Sequence, residues 1–113
     1  MDDLKLMSCT LPKKGDPSLD AAEISDFLPQ IPKWEVIEIE GIERLIKLFK
    51  FSNFRNALNF TNQIGELAER EDHHPAILTE WGKVTITWWT HAVGGLHLND
   101  FISAAKSDEI YVS

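Results

Sequence analysis

Residues 54–75 read FRNALNFTNQIGELAEREDHHP, and this stretch decides how the rest of the chain is organised. Small and apolar residues recur in it every three or four positions, at Phe54, Ala57, Leu58, Thr61, Ile64, Gly65 and Ala68. The spacing predicts an amphipathic helix of about five turns, capped by Ser52 or Asn53. The helix closes in a polar run, and Pro75 forbids its continuation.

A strand hairpin is predicted on each side of this helix. Residues 34–39 and 42–51 give two strands joined at Glu40-Gly41, and the irregular apolar period of the second leaves room for a bulge near Ile46. Residues 76–79 and 83–91 give the second hairpin, which turns at Trp81-Gly82. Its last strand places Val84, Ile86 and Trp88 on one face, and Thr85, Thr87, Trp89 and His91 on the other.

Short helices are predicted at both ends of the chain. The first follows a cap at Ser18 and stops at Pro29, and the last runs from Leu98 or Asn99 to about Lys106. Together these elements predict an α+β fold, with a four-stranded antiparallel sheet and about three helices packed on one face. The 113 residues suit a single domain, assigned to residues 19–113. Residues 1–18 carry turn chemistry without an apolar period and are predicted to be a flexible lead-in.

Charge and composition exclude several classes of protein. Eleven Lys and Arg stand against eighteen Asp and Glu, so the net charge of −7 disfavours binding to nucleic acid or to an anionic membrane. The single cysteine, Cys9, cannot form an internal disulfide or a thiolate-rich metal cluster. The acidic N-terminus lacks the regions of a signal peptide, and no apolar run approaches the roughly 20 residues of a membrane span. These features predict a soluble cytoplasmic protein.

Three of the four histidines are predicted to meet. A hairpin turning near Trp81-Gly82 pairs residues whose numbers sum to roughly 163, which brings His91 opposite the His73-His74 pair. Clustered imidazoles suit proton transfer near neutral pH. Glu69 and Asp72 are near enough in sequence to orient a ring.

Other interpretations of the histidines remain open at this point. The pair could simply cap the carbonyls of a solvated helix end. A metal site is disfavoured because adjacent side chains point apart and no helical His-x-x-x-His spacing is present. His97 is expected to be an exposed residue near a helix start. Trp88 is expected in the core, and Trp89 either packs conventionally or stacks on a planar ligand beside His91.

The run Glu69 to Pro75, with Trp81, Thr90-His91 and Asp100, resembles the signature of the pterin-4a-carbinolamine dehydratases, in their bacterial branch. The resemblance implies a hydro-lyase that removes water from 4a-hydroxytetrahydrobiopterin to give the quinonoid dihydropterin. This recycles the pterin of aromatic amino-acid hydroxylases and uses no metal or organic cofactor. Trp88-Trp89 departs from the family pattern, since a strand beside the pocket often carries smaller residues there.

The resemblance also implies roles for particular residues. His73 and His91 would transfer protons, and His74 would mainly bind and orient the pterin. Glu69 and Asp100 would be supporting carboxylates. The remaining residues expected to border the substrate are Asp72, Trp89, Thr90 and Ala92.

The resemblance suggests a homodimer or homotetramer with a functional link to a hydroxylase. Two alternatives stay open: a non-catalytic protein-interaction module, and a dehydratase-like role in another pterin pathway such as molybdenum-cofactor metabolism.

Overall fold

The computed structural model describes residues 2–111 and contains one four-stranded antiparallel sheet with three α-helices. The strands are β1 (Glu35–Ile39), β2 (Ile42–Lys50), β3 (Ala76–Glu80) and β4 (Lys83–Trp88), in the spatial order β1-β2-β4-β3. The helices are α1 (Ala21–Phe27), α2 (Phe54–Glu71) and α3 (Leu98–Ile110). The predicted α+β fold is therefore confirmed. Met1 of the predicted lead-in and residues 112–113 of the predicted domain lie outside the described residues.

Both hairpins turn where the sequence predicted. Glu40 and Gly41 both have positive φ, at 53° and 78°, the conformation of a two-residue turn that matches strand twist. In the second hairpin Ala76 pairs with Thr87 and Glu80 pairs with Lys83, which is the register that a turn at Trp81-Gly82 requires.

The bulge predicted near Ile46 is wrong, because β2 keeps an unbroken register with both of its neighbours. Its apolar period is irregular for another reason. Leu45 and Phe49 face the core, whereas Ile46 and Leu48 lie on the opposite, open face of the sheet. Leu48 is 44% exposed there.

The long helix α2 begins as predicted, since the side chain of Asn53 accepts a hydrogen bond from the backbone N–H of Asn56 at 2.8 Å. Its buried face is rotated from the predicted one. Phe54 is 45% exposed, and the residues that α2 buries are Ala57, Phe60, Ile64, Leu67 and Ala68. The predicted stripe counted small residues, whereas the large side chains Phe60 and Leu67 determine which face packs on the sheet.

The ends of three other elements differ from their predicted positions. The cap of α1 is Asp20, not Ser18, because Asp20 and Glu23 form a reciprocal capping box. Helix α3 continues beyond Lys106 to Ile110 because its buried face continues to Ser107. Strand β4 ends at Trp88 and does not reach His91.

The core lies between the sheet and helices α2 and α3. Trp88 is fully buried, as predicted. Leu4, from the predicted lead-in, is also fully buried, and its backbone N–H donates to Gln30 Oε1 at 2.8 Å. The N-terminal segment thus contributes to the core, while its flexibility stays a prediction. Within residues 2–111, no helix has the length and apolar character needed to cross a bilayer.

Candidate functional site

A cleft of about 380 Å³ opens where the end of α2 approaches the end of β4. Every residue predicted to border the substrate lines it. The lining residues are Leu11, Pro12, Asp72, His73, His74, Trp89, Thr90, His91 and Ala92. The three histidines predicted to meet do share one site, so the hairpin register placed them correctly.

The chain enters this cleft through a left-handed turn at the end of α2. Asp72 has φ +50°, a conformation that Asp tolerates better than most residues. The backbone N–H groups of Asp72 and His73 both donate to the carbonyl of Ala68. This closes the helix and turns the two histidines out of the helical path.

His73 is held on two sides. Its Nε2 lies 2.6 Å from Oδ1 of Asp100, and only 11% of its side chain is exposed. Its ring stacks on the indole of Trp88, with 5.4 Å between the ring centroids and 21° between their planes. The carboxylate fixes one ring nitrogen while the buried indole fixes the plane of the imidazole.

Asp100 lies in the first turn of α3 and is fully buried. Its Oδ2 accepts hydrogen bonds from Thr90 Oγ1 at 2.8 Å and from the backbone N–H of His97 at 2.9 Å. A buried carboxylate needs such partners, and here they come from separate segments of the chain. Asp100 therefore joins α3, the end of the β4 segment and His73.

His97 lies near the start of α3, as predicted, but it is half-buried rather than exposed. Its Nδ1 accepts a hydrogen bond from the backbone N–H of Asn99 at 3.0 Å, which makes it the N-cap of the helix. His97 does not line the cleft.

His74 has the opposite environment to His73. Its Nε2 lies 2.5 Å from Oε2 of Glu69, but the side chains of His74 and Glu69 are 56% and 74% exposed. His74 lines the cleft, and Glu69 contacts it from the solvent-exposed side. Each of the two carboxylates predicted to support a histidine contacts one. Asp100 contacts His73 in the interior, and Glu69 contacts His74 on the solvent-exposed side.

His91 reaches the cleft from a short 3₁₀ turn, His91–Val93, rather than from a strand. The turn is closed by an isolated bridge in which the N–H of Thr90 donates to the carbonyl of Gly95 at 2.9 Å. His91 is exposed and faces the cleft next to Trp89. The guanidinium of Arg44 lies 4.1 Å from the centre of the Trp89 ring and holds the indole from the open face of the sheet.

Sequence reasoning missed Leu11 and Pro12 as cleft residues. They belong to a segment without apolar periodicity, so no pattern in the sequence indicated where it would lie. It also assigned Trp88 only to the core and missed its contact with His73. Within residues 2–111, no three His, Cys, Asp or Glu side chains converge in a way that could hold a metal ion.

Comparison with known proteins gives consistent matches over most of the chain. The family model described as pterin 4 alpha carbinolamine dehydratase matches residues 17–110. A protein of Microcystis aeruginosa named "Putative pterin-4-alpha-carbinolamine dehydratase" is 55% identical over 111 residues, covering 98% of this chain and 96% of that protein. A similarly named protein of Gloeobacter violaceus is 54% identical over 102 residues, covering 90% and 88% of the two chains.

A solved structure agrees with these matches. The crystal structure titled transcriptional coactivator/pterin dehydratase, from Brucella melitensis, superposes with a TM-score of 0.74 at 30% identity. The match covers 82% of this chain and 97% of the Brucella chain. On the matched family model and these relatives, the chain belongs to the pterin 4 alpha carbinolamine dehydratase family.

Proposed function

We propose that the protein dehydrates 4a-hydroxytetrahydrobiopterin to the quinonoid dihydropterin by histidine acid–base catalysis in the cleft. Family membership supports the reaction class. The observation that carries the histidine mechanism is the His73–Asp100 contact of 2.6 Å, buried at the base of a cleft that also contains His74 and His91.

The reaction needs two proton transfers. Hydroxide is a poor leaving group, so an acid protonates the 4a-hydroxyl as its C–O bond breaks and water departs. The proton on ring nitrogen 5 leaves to a base, and the electron pair of that N–H bond forms the C4a–N5 double bond. No oxidant or reductant is required, and one acid with one base accounts for every atom.

The proposal assigns proton transfer to His73 and His91, which enter the cleft from different segments. Asp100 fixes the tautomer and orientation of His73, as carboxylates do for catalytic histidines elsewhere. His74, with Glu69 behind it, binds and orients the pterin at the rim. No metal or organic cofactor takes part in this scheme.

Four further residues border the pterin in this proposal. Trp89 offers an indole held by Arg44, which suits stacking on a planar ring. Asp72 and Ala92 lie beside it in the cleft lining. Thr90 is only 2% exposed, and its hydroxyl donates a hydrogen bond to Asp100. The role of its side chain is therefore to position that carboxylate.

The wider setting is proposed on the same basis. The substrate would come from an aromatic amino-acid hydroxylase, with the protein in the cytoplasm and assembled as a homodimer or homotetramer. The sheet has two edges, β1 and β3, and pairing of edges between subunits would cover them.

A non-catalytic interaction module remains the alternative. The Brucella protein is described as a transcriptional coactivator as well as a pterin dehydratase, and this description favours the interaction module. The enclosed His73–Asp100 pair favours the enzyme, since a binding surface has no need of it.

The test follows the decay of 4a-hydroxytetrahydrobiopterin by ultraviolet absorbance as a phenylalanine hydroxylase generates it. Wild-type protein should accelerate the decay, and His91→Ala should lose about 100-fold of that acceleration while keeping its fold by circular dichroism. The matched control is His97→Asn, outside the cleft, where Asn retains an acceptor for the helix cap. No acceleration by well-folded wild type would overturn the dehydratase, and an unimpaired His91→Ala would overturn the role of His91.

A further inference from the structure

Part of the cleft lining comes from residues that precede the stretch matched by the family model. The match begins at residue 17, whereas Leu11 and Pro12 line the same cleft as the three histidines. They lie in the N-terminal strap, defined here as residues 9–15. Because the strap carries no histidine or carboxylate that touches the cleft, its contribution must come from shape and apolar contact.

The strap is anchored firmly before Leu11. The backbone N–H of Cys9 donates to Oε1 of Glu71 at 2.7 Å. The backbone of Thr10 makes two hydrogen bonds with the side chain of Asn99. The N–H of Thr10 donates to Oδ1 of Asn99 at 2.9 Å, and Nδ2 of Asn99 donates to the carbonyl of Thr10 at 2.7 Å. Asn99 is 1% exposed, so this amide pair is shielded from water.

The strap is also anchored after Pro12. The backbone N–H of Gly15 donates to the carbonyl of Ala92 at 3.2 Å, and Ala92 itself lines the cleft. Two of the anchors are direct neighbours of site residues, since Glu71 precedes Asp72 and Asn99 precedes Asp100. The strap is therefore tied to the same backbone frame that positions His73.

The side chain of Leu11 is 84% exposed at the mouth of this cleft. Leu11 has little to pack against in the protein alone, but a planar ligand seated beside it would cover part of its surface. Pro12 fixes the backbone at the following position and needs no N–H partner. A leucine presented in this way is suited to contact a bound ring, not to stabilise the fold.

We propose that Leu11 and Pro12 form an apolar wall of the substrate site and that Leu11 contributes to affinity for the bound pterin. The proposal rests on the dehydratase function above. It assigns the N-terminal strap to ligand affinity, whereas the histidines perform the chemistry. Removing the apolar contact should then weaken ground-state and transition-state binding alike.

The experiment compares Leu11→Ser with Leu6→Ser. Leu6 is in the same N-terminal segment, is 76% exposed and does not line the cleft. Leu11→Ser should raise the KM for 4a-hydroxytetrahydrobiopterin about five-fold with kcat unchanged. Leu6→Ser should retain wild-type values. Leu11→Met, which keeps an apolar side chain of similar size, should raise KM less than Leu11→Ser does.

A second readout does not depend on turnover. The dissociation constant of 7,8-dihydrobiopterin, which cannot be dehydrated, is measured by calorimetry with the same variants. The wall is supported if Leu11→Ser weakens this binding by about the same factor as it raises KM. It is overturned if Leu11→Ser and Leu6→Ser give equal constants, or if Leu11→Ser lowers kcat with KM unchanged.

These readouts separate the two proposals. If wild type binds dihydrobiopterin through Leu11 but does not accelerate dehydration, the dehydratase fails and the wall stands. If wild type is active and Leu11→Ser behaves like Leu6→Ser, only the wall fails. If wild type neither binds nor turns over a pterin, both are overturned.

Discussion

The two adjacent histidines of the cleft are bound by carboxylates in opposite ways. His73 contacts Asp100 at 2.6 Å, with side-chain exposures of 11% and 0%. His74 contacts Glu69 at 2.5 Å, with exposures of 56% and 74%. The distances are nearly equal, so the contrast lies in the solvent around each pair and in the number of other groups that hold the carboxylate.

This contrast separates a fixed ring from an adjustable one. In the inner pair, Asp100 is also held by Thr90 and His97, and His73 rests on Trp88. In the outer pair, water competes with the contact and screens it. A fixed imidazole suits proton transfer, which demands a set geometry, whereas an adjustable one suits capture of a ligand at the rim.

The largest expected effect comes from exchanging each carboxylate for its amide. Asp100→Asn should lower kcat/KM about 100-fold, because the amide cannot serve His73, Thr90 and His97 as the carboxylate does. Glu69→Gln should stay within about three-fold of wild type, since its contact is exposed. Steady-state kinetics on both variants checks this, and equal losses would remove the distinction between the pairs.

The second effect is on stability. Asp100→Ala should lower the free energy of unfolding by about 2 kcal/mol, because it leaves the buried hydroxyl of Thr90 and the N–H of His97 without their acceptor. Glu69→Ala should cost less than about 0.5 kcal/mol. Urea denaturation with an unchanged m-value measures both. A Glu69→Ala variant as unstable as Asp100→Ala would show that the outer pair also supports the fold.

The third effect tests whether the helix that carries Asp100 is covered by the N-terminal strap. Cys9 is the first residue of the strap. Its Sγ lies 3.5 Å from Ser103 Oγ on α3, and burial raises the pKa of its thiol from 9.0 to about 11. Only the thiolate reacts with iodoacetamide. Alkylation at pH 8 should therefore be at least about ten-fold slower than in the urea-unfolded chain.

The alkylation rate of folded protein should keep rising until about pH 11, whereas that of the unfolded chain should level off near the ordinary thiol pKa of 9.0. The same shift makes the folded state favour the protonated thiol. Its contribution to stability is complete below pH 9 and is lost as pH rises toward 11. A folded-state profile that levelled off near pH 9 would contradict burial of Cys9.

The smallest effect comes from one supporting hydrogen bond. Thr90→Val keeps the shape of the side chain but removes the hydroxyl that donates to Asp100, and should lower kcat about five-fold. The matched control is Thr85→Val on the open face of the sheet, which should leave kcat unchanged. If Thr90→Val were as active as Thr85→Val, Asp100 would not depend on this donor.

The sequence predicted which residues meet but not how deeply each one lies. The turn at Trp81-Gly82 sets the register of β3 and β4, which directs the chain after β4 toward His73 and His74. The 3₁₀ turn His91–Val93 then places His91 in the cleft. The difference between the two adjacent histidines depends on the left-handed turn at Asp72 and on the docking of α3. Both are tertiary features without a periodic signal.

The features that the sequence did not predict have similar physical causes. The bulge was predicted because a strand with one solvent-facing side is expected to alternate apolar and polar residues, and β2 does not. Its alternation is broken because Ile46 and Leu48 are apolar residues on the open face of the sheet. The N-terminal strap has no apolar periodicity, so the sequence did not predict where it lies. Its position depends on hydrogen bonds to Glu71 and Asn99, residues 62 and 89 positions away from their partners Cys9 and Thr10.

The most direct test of the account is rescue by free imidazole of His73→Ala and His74→Ala, assayed by decay of 4a-hydroxytetrahydrobiopterin. The account predicts that His73→Ala loses about 100-fold in kcat and regains part of it with added imidazole. It predicts that His74→Ala mainly raises KM and gains nothing from imidazole. The reverse result, with His74 rescued and His73 dispensable for kcat, would contradict the claim that the buried pair performs the proton transfer.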